Sequence, residues 1–249
     1  MLGSTKFGYL IYISLSYCML TGINGSSRWN VAYHKSSLDD YIFDGPFFMQ
    51  ESNEIESTLL CILLCQKAVD CMLFGYHQNE RKCRIYSSGF YTASKGIVVL
   101  GWENYVYGDH ICTANGGFVH VRTSNLCIHP SNEKAPFIDA RKYCSDRHSK
   151  LISLTTTAKS NAFDNIIKTT LKIGSPYIGL SKIEGQWTWE DGNILGSEAQ
   201  WNDGQPYCST GDCNCVIKFM SSDYRWGDSR CEIIVPFVCE RELNKVPKH

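Results

Sequence analysis

The chain has 249 residues, a formal net charge of −1, 20% charged residues and thirteen cysteines. Its length exceeds that of a miniprotein held by disulfides alone and predicts two domains of ordinary size. The near-zero charge argues against a nucleic-acid partner, because such proteins carry a basic surface. So many cysteines indicate an oxidising compartment or a metal array, and their odd number leaves one without a partner.

The first 25 residues are typical of a secretory leader. Lys6 precedes an uncharged apolar run over residues 7–20, and small, turn-forming residues follow at 22–26. The run is short for a membrane span, which needs about 20 apolar residues. We therefore expect cleavage of a signal peptide, residues 1–25, with a retained membrane anchor as the alternative. Cleavage removes Cys18 and leaves an even number of cysteines, as a secreted, soluble protein without stable membrane insertion requires.

Residues 26–111 contain the first cysteine group. A helix is predicted after Ser57 or Thr58, either of which suits an N-cap. Cys61 and Cys65 are four residues apart and so share one face of this helix. Two short strands are predicted behind it, and the candidate pairs are Cys61–Cys83 and Cys65–Cys71. Four cysteines allow three connectivities, among which the sequence does not choose, and a zinc site from the same thiols is the disfavoured alternative in a secreted chain.

The order of these features resembles the PAN/apple module. A helix with two cysteines is followed by Cys71, by Phe74-Gly75-Tyr76 and by Cys83. Residues 101–107 are similar to the aromatic strand that closes such modules. Many apple domains carry a further cysteine pair that joins their two ends, which is missing here because no cysteine of the mature chain precedes Cys61. The resemblance implies an adaptor that binds protein or carbohydrate partners without catalysis.

Residues 112–241 contain the second cysteine group, and residues 242–249 form a polar tail. Asn115-Gly116-Gly117 predicts a turn, and Gly174 is expected to end the last helix. The predicted elements are a strand over 118–121, a helix over 135–148 with Pro136 in its first turn, a strand over 151–154 and a helix over 157–172. Short aromatic and glycine-rich strands follow. Two helices ahead of a loop-rich β region predict an α+β domain, so the whole chain is expected to be α+β with two disulfide-rich extracellular modules.

Tyr177-Ile178-Gly179-Leu180 is similar to the WIGL motif of the C-type lectin domain, with Tyr177 in place of the tryptophan. Further matching segments follow in family order at 187–192, 201–207, 215–216, 226–228, 231 and 237–240. The resemblance implies the long form of the domain, with the disulfides Cys112–Cys127, Cys144–Cys239 and Cys215–Cys231. Cys208 and Cys213 remain and flank a tight loop that a disulfide can close. Four tryptophans of these segments are interpreted as core: Trp187, Trp189, Trp201 and Trp226.

The long loop of this domain departs from the sugar-binding pattern of the family. Members that bind sugar through calcium carry side-chain oxygens on both sides of a proline, a glutamate two positions before a loop cysteine, and an Asn-Asp pair after a late tryptophan. Here Cys213 occupies the glutamate position, and only Gln205 and Asp228 keep suitable oxygens, whereas calcium takes about 6–8. Asp203 also lies nearby. We predict a degraded calcium site, with calcium not required as a cofactor. The candidate ligand-binding residues are Gln205, Tyr207, Asp212, Asn214 and Asp228.

No P-loop, G-x-S-x-G or H-E-x-x-H motif occurs, so no enzymatic activity and no catalytic residue are predicted. We expect a secreted lectin-like recognition protein that binds glycans or glycoproteins on extracellular surfaces through the long loop, which the Cys208–Cys213 disulfide would order in place of a metal. Protein partners for the apple-like domain are a further expectation. The alternative is an extracellular matrix or protein-interaction module that has lost sugar binding. A retained leader would make a membrane receptor instead.

Overall fold

The computed structural model describes residues 13–14, 17–20, 30–113, 117–209 and 211–243. The chain divides into two compact units, Met1–Cys127 with Leu243–His249, and Ile128–Glu242. This division follows Cys127, and the domain boundary before Cys112 stays a prediction. The turn predicted at Asn115-Gly116 and most of the predicted leader and polar tail lie outside the described residues.

The first unit combines an antiparallel sheet with one long helix, α1 (Thr58–Lys67), and one short helix, α2 (His110–Thr113). Its strands are β1 (Ile13–Ser14), β2 (Tyr17–Leu20), β3 (Asn30–His34), β4 (Tyr41–Ile42), β5 (Phe48–Ser52), β6 (Leu73–His77), β7 (Lys82–Tyr86), β8 (Ile97–Val98), β9 (Trp102–Asp109) and β10 (Val119–Val121). Seven of them form one sheet in the order β1-β2-β3-β9-β6-β7-β5, and β4 pairs with β8. The predicted closing strand is therefore β9, which lies in the middle of the sheet.

Helix α1 begins where the sequence predicts. The side chain of Ser57 caps it by accepting a hydrogen bond from the N–H of Leu60 (3.4 Å), which satisfies one of the free amide groups of the first turn. Cys61 and Cys65 both point into the core and are fully buried. They form disulfides with Cys83 of β7 and with Cys71, which follows the helix. The helix is thus fastened to the sheet.

Strand β6 has both of its faces buried, since successive side chains of a strand point to opposite sides. Phe74 and Tyr76 pack in the cluster that includes the cysteines of α1. Leu73 packs on the other side, with Tyr86 and Tyr91. The strands β1 and β2 fall within the segment predicted to be cleaved, and β2 pairs with β3. Cleavage stays a prediction, and it would leave β3 as the edge of this sheet.

Arg122 ties the end of the first unit to helix α1. Its guanidinium donates to the carbonyl oxygens of Cys65 (3.2 Å), Gln66 (3.1 Å) and Ala68 (2.9 Å). The last carbonyls of a helix lack partners within the helix, and a cation beside them also complements the helix dipole. Arg122 therefore acts as a C-terminal cap supplied by a distant part of the chain.

The second unit contains two helices and two antiparallel sheets, β11-β17-β12 and β14-β13-β15-β16. The helices are α3 (Phe137–Ser145) and α4 (Thr157–Ile166), and the strands are β11 (Leu126–Pro130), β12 (Lys150–Leu151), β13 (Tyr177–Ile183), β14 (Gln186–Trp189), β15 (Cys215–Phe219), β16 (Arg225–Ser229) and β17 (Val238–Glu240). β11 begins at the end of the first unit. None of the described helices combines the length and the apolar character that a membrane crossing requires.

Both helices of the second unit are shorter than predicted. Pro136 is the N-cap of α3 and has extended backbone angles, so the helix begins at Phe137, two residues later than predicted, and it ends at Ser145, before the predicted end at residue 148. The predicted second helix leaves the α conformation after Ile166 and continues as a wider turn, Ile167–Leu171. There Thr169 donates its hydroxyl to the carbonyl of Asn165 (2.6 Å), the kind of local bond that bends helices. Lys172, at φ +49°, ends the segment before Gly174.

Six disulfides join twelve of the described cysteines, in the same pairs that the sequence suggests. They are Cys61–Cys83, Cys65–Cys71, Cys112–Cys127, Cys144–Cys239, Cys208–Cys213 and Cys215–Cys231. Cys144 lies on α3 and Cys239 on β17, and both are fully buried. The second unit therefore also fastens a helix to a sheet through a buried disulfide.

Candidate functional site

The long loop of the second unit begins and ends at a short backbone bridge between Trp201 and Trp226. The N–H of Asn202 donates to the carbonyl of Trp226 (2.8 Å), and the carbonyl of Asn202 accepts from the N–H of Gln205 (2.9 Å). Gly204 has φ +76°, a conformation that suits glycine. Asn202 is not among the site residues predicted from the sequence, although an Asn-Asp-Gly run is typical of a turn.

The four tryptophans around the loop divide into two pairs. Trp189 and Trp226 are buried, with their rings perpendicular and 5.5 Å apart. Trp187 and Trp201 are half-buried, with ring centroids 5.2 Å apart. The interpretation of all four as core therefore holds fully for the first pair and in part for the second. The two pairs also contact each other through Trp201 and Trp226, whose ring centroids are 5.9 Å apart.

Gln205, Tyr207 and Asp228 are brought together by hydrogen bonds between side chains and backbone. Oε1 of Gln205 accepts from the N–H of Asp228 (3.2 Å) and from the N–H of Tyr207 (3.4 Å). Oδ1 of Asp228 accepts from the N–H of Tyr207 (2.8 Å). The two side-chain oxygens that the sequence retains are thus engaged in holding the loop backbone. The Tyr207 side chain is 71% exposed beside them.

Asp212 and Asn214 lie on the other arm of the loop. Both are exposed, and the N–H of Asn214 donates to the carbonyl of Asp212 (3.1 Å). The carbonyl of Asn214 accepts from the N–H of Lys182 on β13 (2.8 Å). The hydrogen bonds among the described residues therefore connect Gln205, Tyr207 and Asp228 with each other but do not include the Asp212 and Asn214 side chains.

The Cys208–Cys213 disulfide closes the loop beside Asp228. The two sulfur atoms and a carboxylate oxygen of Asp228 lie within 4.8 Å of one another, and no other cluster of three His, Cys, Asp or Glu ligand atoms occurs among the described residues. Sulfur atoms in a disulfide are not thiolates and are poor metal ligands. One carboxylate falls far short of the 6–8 oxygens that calcium takes. This donor set does not fit calcium.

Tyr177, which replaces the first tryptophan of the motif, secures the segment around Cys231. Its hydroxyl lies within hydrogen-bond distance of the carbonyl oxygens of Ile233 (2.9 Å), Arg230 (3.1 Å) and Cys231 (3.2 Å). Burial raises the pKa of Tyr177 to about 12. The hydroxyl therefore stays protonated and remains a donor at any physiological pH.

In the first unit, three exposed apolar side chains lie on β8 and just beyond it. Ile97 and Val98 of this strand are 52% and 64% exposed, and Leu100 beyond it is 73% exposed. Exposure of large apolar side chains to water is unfavourable, and surfaces that carry several of them often contact other proteins. This row of three side chains is the candidate contact surface of the first unit.

Two family models match the chain. The model of the lectin C-type domain matches residues 133–241, and that of the PAN domain matches residues 36–112. The chain is also 30% identical over 118 residues to a snaclec anticoagulant protein of Deinagkistrodon acutus, and the match covers 46% of this chain and 74% of that relative. The chain belongs to the C-type lectin family. Its second unit contains the C-type lectin domain, its first unit contains the PAN domain, and the predicted α+β fold of two disulfide-rich modules is confirmed.

Two further comparisons are with a relative that is matched over less than half of its length and with a solved structure. The chain is 31% identical over 110 residues to Collectin-10 of Gallus gallus; the match covers 43% of this chain but only 39% of that relative's length. The structure of human lithostathine is 27% identical, with 47% of this chain and 92% of that chain covered and a TM-score of 0.43. Both comparisons involve about half of this chain.

Proposed function

We propose that the C-type lectin domain of this protein recognises glycans or glycoproteins through the long loop and that this recognition does not depend on calcium. The family supports a lectin-like recognition protein. The role is one of binding, and we propose no enzymatic activity. The loop residues that we propose to contact the ligand are Gln205, Tyr207, Asp212, Asn214 and Asp228.

The engagement of the loop oxygens carries this proposal. A calcium ion would compete with backbone N–H groups for the oxygens of Gln205 and Asp228. The disulfide occupies the position at which the family's calcium-binding members have a glutamate, and it closes the loop covalently. A loop that is already ordered loses less conformational entropy when a ligand binds. The disulfide thus supplies the order that a metal supplies in calcium-dependent members.

Tyr207 is the side chain best placed to contact a ligand in the loop. Its backbone N–H is anchored to Asp228, while its side chain is 71% exposed. A tyrosine combines an aromatic face with a hydroxyl group and has only two side-chain torsions to restrict on binding. A glycan presents both apolar ring faces and hydroxyl groups, which matches these properties.

We further propose that the protein is secreted and that its PAN domain contacts protein partners. Twelve cysteines paired in six disulfides are typical of an oxidising, extracellular compartment. The exposed row at Ile97, Val98 and Leu100 supports a protein contact on the PAN domain. Mass spectrometry of the mature N-terminus tests secretion: a start near residue 26 supports it, whereas an intact leader supports the membrane-receptor alternative.

Capture of the protein on a glycan array, with calcium and with a chelator, tests the proposed function. We expect saturable capture that is equal in the two buffers. Tyr207→Ala is expected to weaken capture about tenfold or more, which corresponds to about 1.4 kcal/mol of lost contact. The control is Ile138→Ala, which removes a comparably exposed apolar side chain on α3, outside the loop, and should leave capture unchanged. Complete loss in chelator with recovery in calcium would contradict the proposal.

A protein-binding loop is the second candidate function. The snaclec relative is named as an anticoagulant protein, and its name mentions no sugar. The loop also lacks a set of ligands for a calcium ion that could in turn bind sugar hydroxyls. If no glycan on the array gives saturable capture, this candidate is favoured. Tyr207→Ala should then weaken binding to a glycoprotein and to its enzymatically deglycosylated form by the same factor.

A further inference from the structure

A polar cleft of about 350 Å³ lies in the C-type lectin domain, and none of the five proposed ligand-contact residues of the long loop lines it. Every side chain that lines it is charged or carries an amide. They are Asn161, Asp164, Asn165, Lys168, Gln200, Asp223 and Arg225. Ligand pockets span roughly 300–1,000 Å³, so the cleft has room for a single sugar unit. A lining without apolar side chains indicates a ligand rich in hydroxyl groups or charge.

Helix α4 supplies one wall of the cleft. Asn161, Asp164 and Asn165 are three and four residues apart, which places them on one face of the helix. Gln200 supports this wall: its Nε2 donates to Oδ1 of Asn161 (3.1 Å), and its Oε1 accepts from the hydroxyl of Ser160 (2.7 Å). The carbonyl of Gln200 accepts from the N–H of Trp226 (2.9 Å). The wall is therefore held in place by hydrogen bonds before any ligand binds.

An ion pair with a buried lysine holds Asp164, one of the residues that line the cleft. The side chain of Lys218, from β15, is fully buried, and its Nζ lies 2.7 Å from Oδ1 of Asp164. Burial raises the pKa of Asp164 and lowers that of Lys218, while the attraction between the two groups opposes both shifts. Breaking such a buried pair is costly, because it leaves one charge without a partner. Asp164 is thus fixed where it meets the cleft.

Among the described charged residues around the cleft, one cation takes part in no ion pair. Asp164 pairs with Lys218, and Asp223 pairs with Lys168 at 2.7 Å. Arg225, at the start of β16, takes part in none of the ion pairs among the described residues and is exposed. A guanidinium group matches a carboxylate because two parallel N–H groups can donate to its two oxygens. The local charge therefore favours a ligand with one negative charge.

We propose that this cleft binds a sugar unit that bears one carboxylate group. Arg225 pairs with the carboxylate, and the amide groups of Asn161 and Asn165 hydrogen-bond the ring hydroxyls. An amide offers both a donor and an acceptor, as a hydroxyl does, so the two types of group complement each other. Because none of the five proposed ligand-contact residues of the long loop lines the cleft, the cleft can bind such a sugar whether or not the loop binds glycans.

Titration calorimetry of the full chain with glucuronate tests this proposal, with glucose as the neutral probe of the same ring size. We expect glucuronate to bind at least tenfold more tightly than glucose. Arg225→Gln should weaken glucuronate binding at least tenfold, whereas Arg225→Lys should retain part of it, since charge remains but the paired N–H groups do not. The control Arg230→Gln removes another exposed arginine of the same domain and should leave the affinity unchanged.

Three results would overturn the proposal. Equal binding of glucuronate and glucose would show that the carboxylate is not recognised, and an unchanged affinity of Arg225→Gln would show that this guanidinium is not used. Displacement of glucuronate by inorganic sulfate at equal concentration would show a simple anion site that does not recognise the sugar. Tyr207→Ala separates this cleft from the loop, because it should weaken glycan capture on the array while leaving glucuronate binding intact.

Discussion

Both units bury tyrosine side chains, but among the described residues only the C-type lectin domain also contains a fully buried charged side chain, Lys218. Tyr86 and Tyr107 of the first unit are fully buried. In the second unit Lys218 is fully buried and Glu240 is 4% exposed. A hydroxyl is neutral at physiological pH, while a charge needs a partner of opposite sign to be tolerated inside a protein. The two units should therefore respond differently to pH and to the loss of single side chains.

The two units also differ in the length of chain that their disulfides enclose. In the first unit the Cys65–Cys71 disulfide spans 6 residues, and in the lectin domain Cys144–Cys239 spans 95. In the chain-entropy model a disulfide stabilises by restricting the unfolded chain, so the longer loop contributes more. The lectin domain thus depends more on a single covalent link.

Removing these disulfides should give the largest effects. Replacing Cys144 and Cys239 together by alanine is expected to cost about 4–5 kcal/mol of unfolding free energy, and replacing Cys65 and Cys71 about 2 kcal/mol. Urea unfolding of the two double variants, followed by circular dichroism without reductant, measures the difference. Equal losses in the two variants would contradict the dependence on loop length.

The charge network at Glu240 gives the second test. Lys159 Nζ lies 2.5 Å from Glu240 Oε2, and Lys150 lies 3.7 Å from Oε1. Lys159→Met should cost about 3 kcal/mol at pH 7, the lower end for a broken buried pair, because Lys150 remains. Lys142→Met is the matched control: its partner Asp146 is exposed, and such a surface pair contributes less than about 0.5 kcal/mol.

The cost of Lys159→Met should depend on pH. Burial raises the pKa of Glu240, and the lysines oppose this shift. Without Lys159 the folded-state pKa rises further, so the folded protein holds a proton that the unfolded chain releases above about pH 4.3. The variant therefore loses stability as pH rises from about 4.3, the unfolded-state pKa, towards the raised folded-state pKa. Urea unfolding at pH 4 and pH 7 should show the smaller cost at pH 4, and an equal cost at both would refute this account.

The sequence predicts elements whose signals are local or lie within a known motif. The cap at Ser57, the shared face of Cys61 and Cys65, and the order of the lectin motif segments along the chain are of this kind. The partners of Cys61 and Cys65 could not be chosen from the sequence, because they depend on where β7 packs. The end of α4 differs from the prediction even though the bond from Thr169 to the Asn165 carbonyl is local, because such a bond only disfavours the helix and does not by itself fix where it ends.

For the candidate sites, too, the sequence predicts only what a local signal or a known motif indicates. Gln205 and Asp228 are brought together in the structure, as the family pattern predicts, but their oxygens are used by the backbone. The polar cleft joins Asn161 of α4 with Arg225 of β16, two residues that no local pattern connects. Its one sequence signal is Lys218, a charge within the apolar strand Cys215–Phe219. A charge at such a position requires a buried partner, although the sequence does not say which.

Tyr86 gives the last and smallest effect, and it tests the first unit. Burial raises the pKa of Tyr86 to about 12, whereas an unfolded tyrosine ionises near pH 10. Below pH 9 both states hold the proton, so this group does not change stability with pH. Between pH 10 and pH 12 the unfolded chain loses the proton first, and stability falls by up to about 1.4 kcal/mol per pH unit.

Tyr86→Phe should remove this contribution, so that the variant loses about 1 kcal/mol less than the wild type between pH 9 and pH 11. Urea unfolding at the two pH values measures the loss. Ile97→Ala, an exposed and non-titrating position of the same unit, should leave the pH dependence as it is in the wild type. If Tyr86→Phe and the wild type lose the same free energy over this range, the buried hydroxyl does not set the alkaline stability of the first unit, and the contrast with the charged core of the lectin domain fails.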